Sequence, residues 1–282
     1  TPALRPTPFV SFCCRSKGAS AAIMITASHN PPSYNGYKVY WNDGGQIVSP
    51  HDAGIMRAVA AVTSVELAPP DDPHIQFLTE ADDRAYLEAI GTTRNAADRG
   101  DLHIVFSNLH GTGITLMPEA LRSWGFTSVE FVESQIDPDG DFPTASKPNP
   151  EEQAALQPAI DQLIESGADI AIATDPDADR IGLVVLHNGS PHILSGNQIA
   201  ALATDWLLRG ELPQNGAVVK TIVTTDLVGE IAGDRGVTCF DVLTGFKYIG
   251  ELMSEWEVSG AHTFLFGAEE SHGYLLGTHA RD

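Results

Sequence analysis

The chain has 282 residues, of which 43% are hydrophobic, and a formal net charge of −21 from 16 basic and 37 acidic side chains. That length favours two or more domains with buried cores, and so acidic a balance argues against nucleic acid or an anionic membrane surface as partner. No apolar run approaches the ~20 residues that span a bilayer. No basic region followed by an apolar stretch opens the chain, so the expected location is cytoplasmic. Cys13, Cys14 and Cys239 offer neither an even disulfide framework nor metal-ligand spacing, and they read as buried apolar thiols.

Val- and Ile-rich runs alternate with helical segments, which is the pattern of α/β units around mostly parallel sheets. In chain order the spacing predicts a strand over 21–26, helices over 51–62 and 80–90, and a strand over 102–107. Helix 115–124, strand 129–133, helix 151–166 capped by Asn149, and strands 169–174 and 181–187 come next. Helix 195–209, strand 217–224, helix 226–234, strand 237–242, helix 245–257 and strand 263–266 complete the series. The polar stretches Gly91 to Gly100 and Gly210 to Gly216 read as linkers, dividing the chain into 1–98, 101–213 and 214–282. The first and last pieces read as incomplete. There is no dinucleotide or P-loop glycine signature and no Gly-x-Ser-x-Gly.

Three loops carry the chemistry. Strand 21–26 runs into Thr26-Ala27-Ser28-His29-Asn30-Pro31-Pro32, so Ser28 stands just past a strand's carboxyl end, where open α/β sheets bind ligands. A serine there can carry a phosphoryl group, and the alternative is a solvated serine on an Asn-Pro turn. Between strands 169–174 and 181–187 lies Asp175-Pro176-Asp177-Ala178-Asp179-Arg180. Alternate carboxylates in so tight a loop repel unless neutralised, and three hard oxygens suit Mg²⁺ or Mn²⁺. Asp137, Asp139 and Asp141 repeat the spacing in a loop context and read as a turn without metal, while Asn188-Gly189-Ser190 reads as a hairpin turn. After strand 263–266 comes Gly267-Ala268-Glu269-Glu270-Ser271, where Glu269 and Ser271 have the spacing to bond vicinal hydroxyls.

The run from Thr26 to Lys38, Thr-Ala-Ser-His-Asn-Pro-Pro-x-Tyr-Asn-Gly-Tyr-Lys, resembles the phosphoserine signature of the α-D-phosphohexomutases. Its continuation from Val39 to Gln46 is similar to the bacterial phosphoglucomutase-like branch. The acidic loop, Thr244-Gly245-Phe246-Lys247 and the Glu269 loop resemble that family's metal, phosphate and sugar loops in the family's order, and Asn108 to Gly113 resembles the opening of its second domain. The resemblance implies tandem α/β domains with mixed, mostly parallel sheets. Of four domains, the chain would hold most of the first, all of the second and most of the third, without the C-terminal one. It implies phosphate carried on Ser28 with His29 beside it and Lys38 as acid/base and phosphate contact. One Mg²⁺ would be held by Asp175, Asp177, Asp179 and the phosphate on Ser28, with Arg180 on phosphate or on the loop. Lys247 would contact substrate phosphate, and Glu269 and Ser271 the sugar. Some members carry a histidine where this chain has Gly273, so His272 is not carried over and the acid/base assignment stays open. The implied reaction interconverts glucose 1-phosphate and glucose 6-phosphate through glucose 1,6-bisphosphate, with a small-molecule phosphosugar, and neither nucleic acid nor membrane, as partner. Phosphomannomutase or phosphopentomutase activity, a non-catalytic phosphosugar-binding fragment and a phosphatase using Ser28 are the other readings.

Overall fold

The computed structural model describes residues 3–94 and 101–282, so part of the expected linker at 91–100 lies outside the described residues. The chain opens with α1 (Thr7–Ser16), which lies over an antiparallel hairpin of β1 (Ala21–Ile25) and β2 (Tyr37–Trp41). Neither α1 nor β2 is among the predicted elements. Pro8 conceals α1 in the sequence, yet a proline in the first helical turn gives up only an N–H that would be unpaired there. The apolar face of α1 buries Phe9, Phe12 and Cys13 against Tyr86, with both phenylalanine rings edge-on to the tyrosine. Burial pushes the Cys13 thiol up to about 12, as expected for an inert apolar thiol. Cys14 is also buried, whereas Cys239 is only half-buried. Helices α2 (His51–Ala60) and α3 (Glu80–Gly91) follow, the latter started by a Thr79–Asp82 capping box.

The second sheet contains β3 (His103–Ser107), β4 (Ser128–Phe131), β5 (Ile170–Thr174), β6 (Ile181–His187) and β7 (Ser190–Leu194), in the order β4-β3-β5-β6-β7. Strands β4, β3 and β5 are parallel, and β6 and β7 run antiparallel. The reversal follows from chain length, because the loop 175–180 is too short for a crossover and β6 must turn straight back along β5. This fixes the aspartates at the carboxyl end of β5. The unpredicted β7 is joined to β6 by Asn188 and Gly189, both at positive φ, as the tight hairpin reading requires. Helix α4 (Met117–Ser123) precedes β4, and α5 (Gln153–Ser166) supplies Leu156, Ile160 and Leu163 to the core under the sheet. Asn149 does not cap α5. Its Oδ1 accepts from Glu151 N at 3.0 Å in a turn before the helix, and Glu152 is the capping position.

The third sheet has the order β11-β10-β8-β9, built from β8 (Gly216–Thr221), β9 (Thr238–Val242), β10 (Thr263–Glu269) and β11 (Gly273–Leu276). Helices α6 (Gly196–Leu207) and α7 (Leu227–Asp234) pack into one core with the sheet, and α8 (Phe246–Ser259) into another. Strand β10 runs three residues beyond its predicted end and pairs Glu269 with Gly273 of β11. The Glu269 loop is therefore a hairpin turn, not the open loop that the 263–266 reading implies. Among the described residues, no helix is long and apolar enough to cross a membrane.

Candidate active site

Ser28 leaves β1 at φ 51°, a left-handed conformation seldom adopted outside glycine, and this aims its hydroxyl inward. Its Oγ donates to Asp175 Oδ2 at 2.9 Å and lies 3.1 Å from His29 Nδ1. The turn is held from behind, since Thr26 Oγ1 accepts from Ser28 N at 2.8 Å and donates to Asp177 Oδ2 at 3.0 Å. Burial, and secondarily the Arg180 charge, push the His29 pKa down. The ring therefore favours its neutral, proton-accepting form.

The three aspartates each bring one oxygen within 4.8 Å of the others. Asp175 is fully buried, and its Oδ1 accepts from the backbone N–H of Asp179 at 3.2 Å and of Arg180 at 3.1 Å. Thr7 Oγ1 donates to Asp177 Oδ2 at 3.0 Å. Burial, followed by the charges of Asp179 and Asp177, pushes Asp175 well above the usual aspartate range. Burial and the Asp177 charge likewise raise Asp179, to about 6. Asp177 moves the other way, because the Lys38 ammonium and its hydrogen bonds outweigh its burial. Asp177 Oδ1 and Asp179 Oδ1 are buried and unpartnered. Orphaned carboxylate oxygens beside other carboxylates need a cation, and this all-oxygen set fits a hard divalent ion.

Lys38 lies on β2, pairs closely with Asp179, and stands 3.4 Å from Asp177 and 3.7 Å from Asp282. With Asp179, Arg180, Lys247, Glu269 and Asp282 it lines a polar cleft of about 350 Å³. Glu269 Oε1 accepts from Gly245 N at 2.7 Å, and burial pushes its carboxyl above the usual range. Ser271 lies on the turn between β10 and β11 and is not among the residues lining the cleft. Lys247 Nζ sits 5.1 Å from the centroid of the Tyr248 ring. Arg180 reaches Glu151 at 3.2 Å. His272 is buried with Nδ1 at 3.2 Å from Ile181 O and is not among the residues lining the cleft. Ser28 lines a second, wider cleft of about 710 Å³ and is absent from the lining of the first. The acidic loop lies between the two, Asp177 facing one and Asp179 the other.

Several supporting residues carry no role in the sequence reading. Thr26 opens the quoted serine motif, so its hydroxyl two residues before Ser28 was an available signal, whereas nothing local marks Thr7. Gly111 is set against the acidic loop so closely that a Cβ there would meet Pro176 Cα at 2.2 Å. Gly196 is pressed against the Glu269–Ser271 turn, where a Cβ would lie 1.8 Å from Glu270 O. Asp137, Asp139 and Asp141 are exposed, and Asp139 Oδ1 accepts from Asp141 N at 2.9 Å in a local turn.

Tandem mixed α/β sheets whose strand ends bring a serine loop, an acidic loop and a polar cleft together have the architecture of the phosphohexomutase class. Family profiles for Phosphoglucomutase/phosphomannomutase alpha/beta/alpha domains I, II and III match residues 1–66, 84–189 and 195–282. The chain belongs to the phosphoglucomutase/phosphomannomutase family. It is 36% identical over 291 residues to a phosphoglucomutase of Staphylococcus haemolyticus, with 99% of this chain and 52% of the relative covered. The chain thus spans about half the length of the curated relatives it matches. A solved structure from Thermus thermophilus, provisionally named a phosphomannomutase, superposes with TM-score 0.79 at 27% identity, covering 99% of this chain and 60% of that one. The fold is also shared, at TM-score 0.58 and 15% identity over 97% of this chain and 65% of the other, with an Aspergillus fumigatus N-acetylphosphoglucosamine mutase solved with glucose 1,6-bisphosphate.

Proposed function

We propose that the full protein is a phosphoglucomutase, interconverting glucose 1-phosphate and glucose 6-phosphate through phospho-Ser28 and glucose 1,6-bisphosphate. The observation that carries this reading is Ser28, held at positive φ with its Oγ 2.9 Å from Asp175 in a group of three carboxylates that retains two orphaned buried oxygens. The family and the named Staphylococcus relative support the reaction class and the choice of glucose. The units of the reaction are the serine loop in 1–98, the acidic loop in 101–213 and the sugar loop in 214–282.

Asp175, Asp177, Asp179 and a phosphate oxygen on Ser28 would hold one Mg²⁺, which when bound neutralises charge on the moving phosphoryl group. In the forward step the bond from Ser28 Oγ to phosphorus breaks as a sugar hydroxyl oxygen bonds to the same phosphorus. The hydroxyl proton passes to a base, for which neutral His29 is the candidate beside the serine loop, while Lys38, held as an ammonium by Asp177, Asp179 and Asp282, serves as phosphate contact and proton donor. The resulting bisphosphate turns over and returns its other phosphate to Ser28. Glu269 and Ser271 orient the sugar hydroxyls, with Glu269 anchored through one oxygen by Gly245 N. Lys247 and Arg180 offset the phosphate at the far end. A phosphoserine brings about −1.5 to −2 charges, which the cation and these bases balance within an acidic protein. The substrate is a phosphosugar, with neither nucleic acid nor membrane as partner, and the location is cytoplasmic.

The provisional name of the Thermus structure favours mannose as the second reading. The test is turnover of glucose 1-phosphate, mannose 1-phosphate and ribose 1-phosphate by the full-length protein with trace glucose 1,6-bisphosphate. Glucose 1-phosphate should give the highest kcat/KM without net release of inorganic phosphate. Faster turnover of mannose or ribose 1-phosphate would reassign the substrate. Net phosphate release would identify a phosphatase instead, and binding without turnover a phosphosugar-binding protein.

A further inference from the structure

The segment Ala280-Arg281-Asp282 is wedged between the first and third sheets. Arg281 is buried, its N–H donates to Ser11 Oγ of α1 at 2.8 Å, and its guanidinium meets Glu257 of α8 at 2.6 Å. Gly250 of α8 makes room for the segment, since a Cβ there would lie 3.1 Å from Arg281 O. The wedge delivers Asp282, its side chain 4% exposed, to the foot of the polar cleft beside Lys38. There Asp282 Oδ2 accepts from the Tyr40 hydroxyl at 2.5 Å and from Gln46 Nε2 at 2.7 Å, and lies 3.7 Å from Lys38 Nζ.

Three carboxylates surround that ammonium, and two of them, Asp177 and Asp179, belong to the acidic group. A divalent cation on the orphaned Oδ1 atoms of Asp177 and Asp179 would share those two carboxylates with Lys38, which meets their Oδ2 atoms, and it would draw on their charge and repel the ammonium as a like charge. Asp282 is the third carboxylate and stands outside the acidic group. Two neutral donors from β2 and the loop after it fix its orientation, so it needs no rearrangement to receive Lys38.

We propose that Asp282 is a positioning residue. It serves as the counterion that keeps Lys38 at the cleft when the acidic loop holds its cation, leaving Asp177 and Asp179 to the metal. The proposal rests on the reading of Lys38 as a group acting on phosphate, and it adds a residue from the third sheet's end to the control of the serine loop's lysine.

The test is a double-mutant cycle between Asp282→Asn and Lys38→Met in the full-length protein, read by kcat and by Mg²⁺ affinity from calorimetry. Asp282→Asn keeps the shape and can still accept from Tyr40 and Gln46, so folding should be retained. Loss of a buried partner to an ammonium should lower kcat by about 30-fold with KM changed by less than about 3-fold. It should also weaken Mg²⁺ by roughly 5-fold, because Lys38 falls back on Asp177 and Asp179. Asp282→Glu should restore part of both losses. In the Lys38→Met background, Asp282→Asn should cost less than about 2-fold in either readout. The same loss with and without Lys38 would overturn the proposal, and so would unchanged kcat and Mg²⁺ affinity in Asp282→Asn alone. If Lys38→Met leaves kcat intact, the role given to Lys38 fails instead. The Mg²⁺ arm keeps the cycle readable where Lys38→Met abolishes turnover.

Discussion

Replacing Asp175 by asparagine separates what the acidic group costs the protein from what it contributes. Two opposite consequences follow from one lost charge. The three aspartate oxygens lie within 4.8 Å of one another, and at that separation two unit charges in an effective dielectric of ~20 repel by about 3.5 kcal/mol. Asp175 is the fully buried member and faces both of the others, and Lys38 offsets only part of the repulsion. An amide of the same shape still accepts from Asp179 N and Arg180 N on one side and can turn its NH₂ toward Ser28 Oγ on the other. In EDTA, therefore, Asp175→Asn should stabilise the protein by about 2 kcal/mol, a rise of roughly 2 to 3 °C in Tm for a chain of this size or longer. With Mg²⁺ the order should reverse. At a concentration 100-fold above its Kd, Mg²⁺ should stabilise the wild type by about 2.7 kcal/mol, and a ~100-fold weaker site would lose most of that gain. Thermal unfolding of the full-length protein across a Mg²⁺ titration reads both effects, with Asp139→Asn as a control that should move neither. If Asp175→Asn is less stable in EDTA and keeps the full Mg²⁺ increment, the acidic loop is an ordinary structural turn.

Asp179 gives a pH signature in the metal-free protein. Because burial and Asp177 raise it from 3.8 to about 6, it binds its proton more tightly when folded than when unfolded. Its contribution to stability is therefore complete below pH about 3.8 and lost as pH rises through about 6, so the urea midpoint in EDTA should fall across that window. Asp179→Asn should flatten the fall, and an unchanged slope would count against the assignment. Glu269→Gln should lower kcat/KM for glucose 1-phosphate by roughly 10- to 100-fold while the phosphate content of Ser28 stays at the wild-type level, because the role proposed for Glu269 is to bind hydroxyls and not phosphate. A parallel loss of serine phosphate would contradict that division of labour. Gly111→Ala, whose Cβ would press to 2.2 Å from Pro176 Cα, should weaken Mg²⁺ by roughly 10-fold without changing any ligand. Unaltered Mg²⁺ affinity by calorimetry would mean the loop absorbs the intrusion.

What the sequence revealed follows the range of the interactions. Strands 102–107 and 169–174 were legible because their apolar cores, Ile104-Val105-Phe106 and Ile170-Ala171-Ile172-Ala173, are mostly buried in the sheet, whereas 21–26 gives the same apolar signal although Ile23 and Ile25 are exposed. The serine, acidic and sugar loops were legible because each packs its chemistry into contiguous residues. β2 was missed although Tyr37-Lys38-Val39-Tyr40-Trp41 has a β-rich composition, because its neighbourhood reads as the tail of a Pro- and Asn-rich turn. α1 was hidden by Pro6 and Pro8, β7 by Pro191, and β11 by its opening Gly273. The contacts that tie the loops together were out of reach. Thr7 meets Asp177 across 170 residues of sequence, and Tyr40 meets Asp282 across 242. No local pattern encodes such pairs, since only the docking of three separate sheets creates them.

The central claim is that Ser28 carries the phosphoryl group, and site-resolved phosphopeptide mass spectrometry tests it most directly. Full-length protein incubated with glucose 1,6-bisphosphate and Mg²⁺ should be heavier by one phosphate, located on Ser28, and should lose it to added glucose 1-phosphate. Ser28→Ala should acquire none and should not turn over. Phosphate on any other residue, or a Ser28→Ala protein that still interconverts the sugar phosphates, would contradict the account.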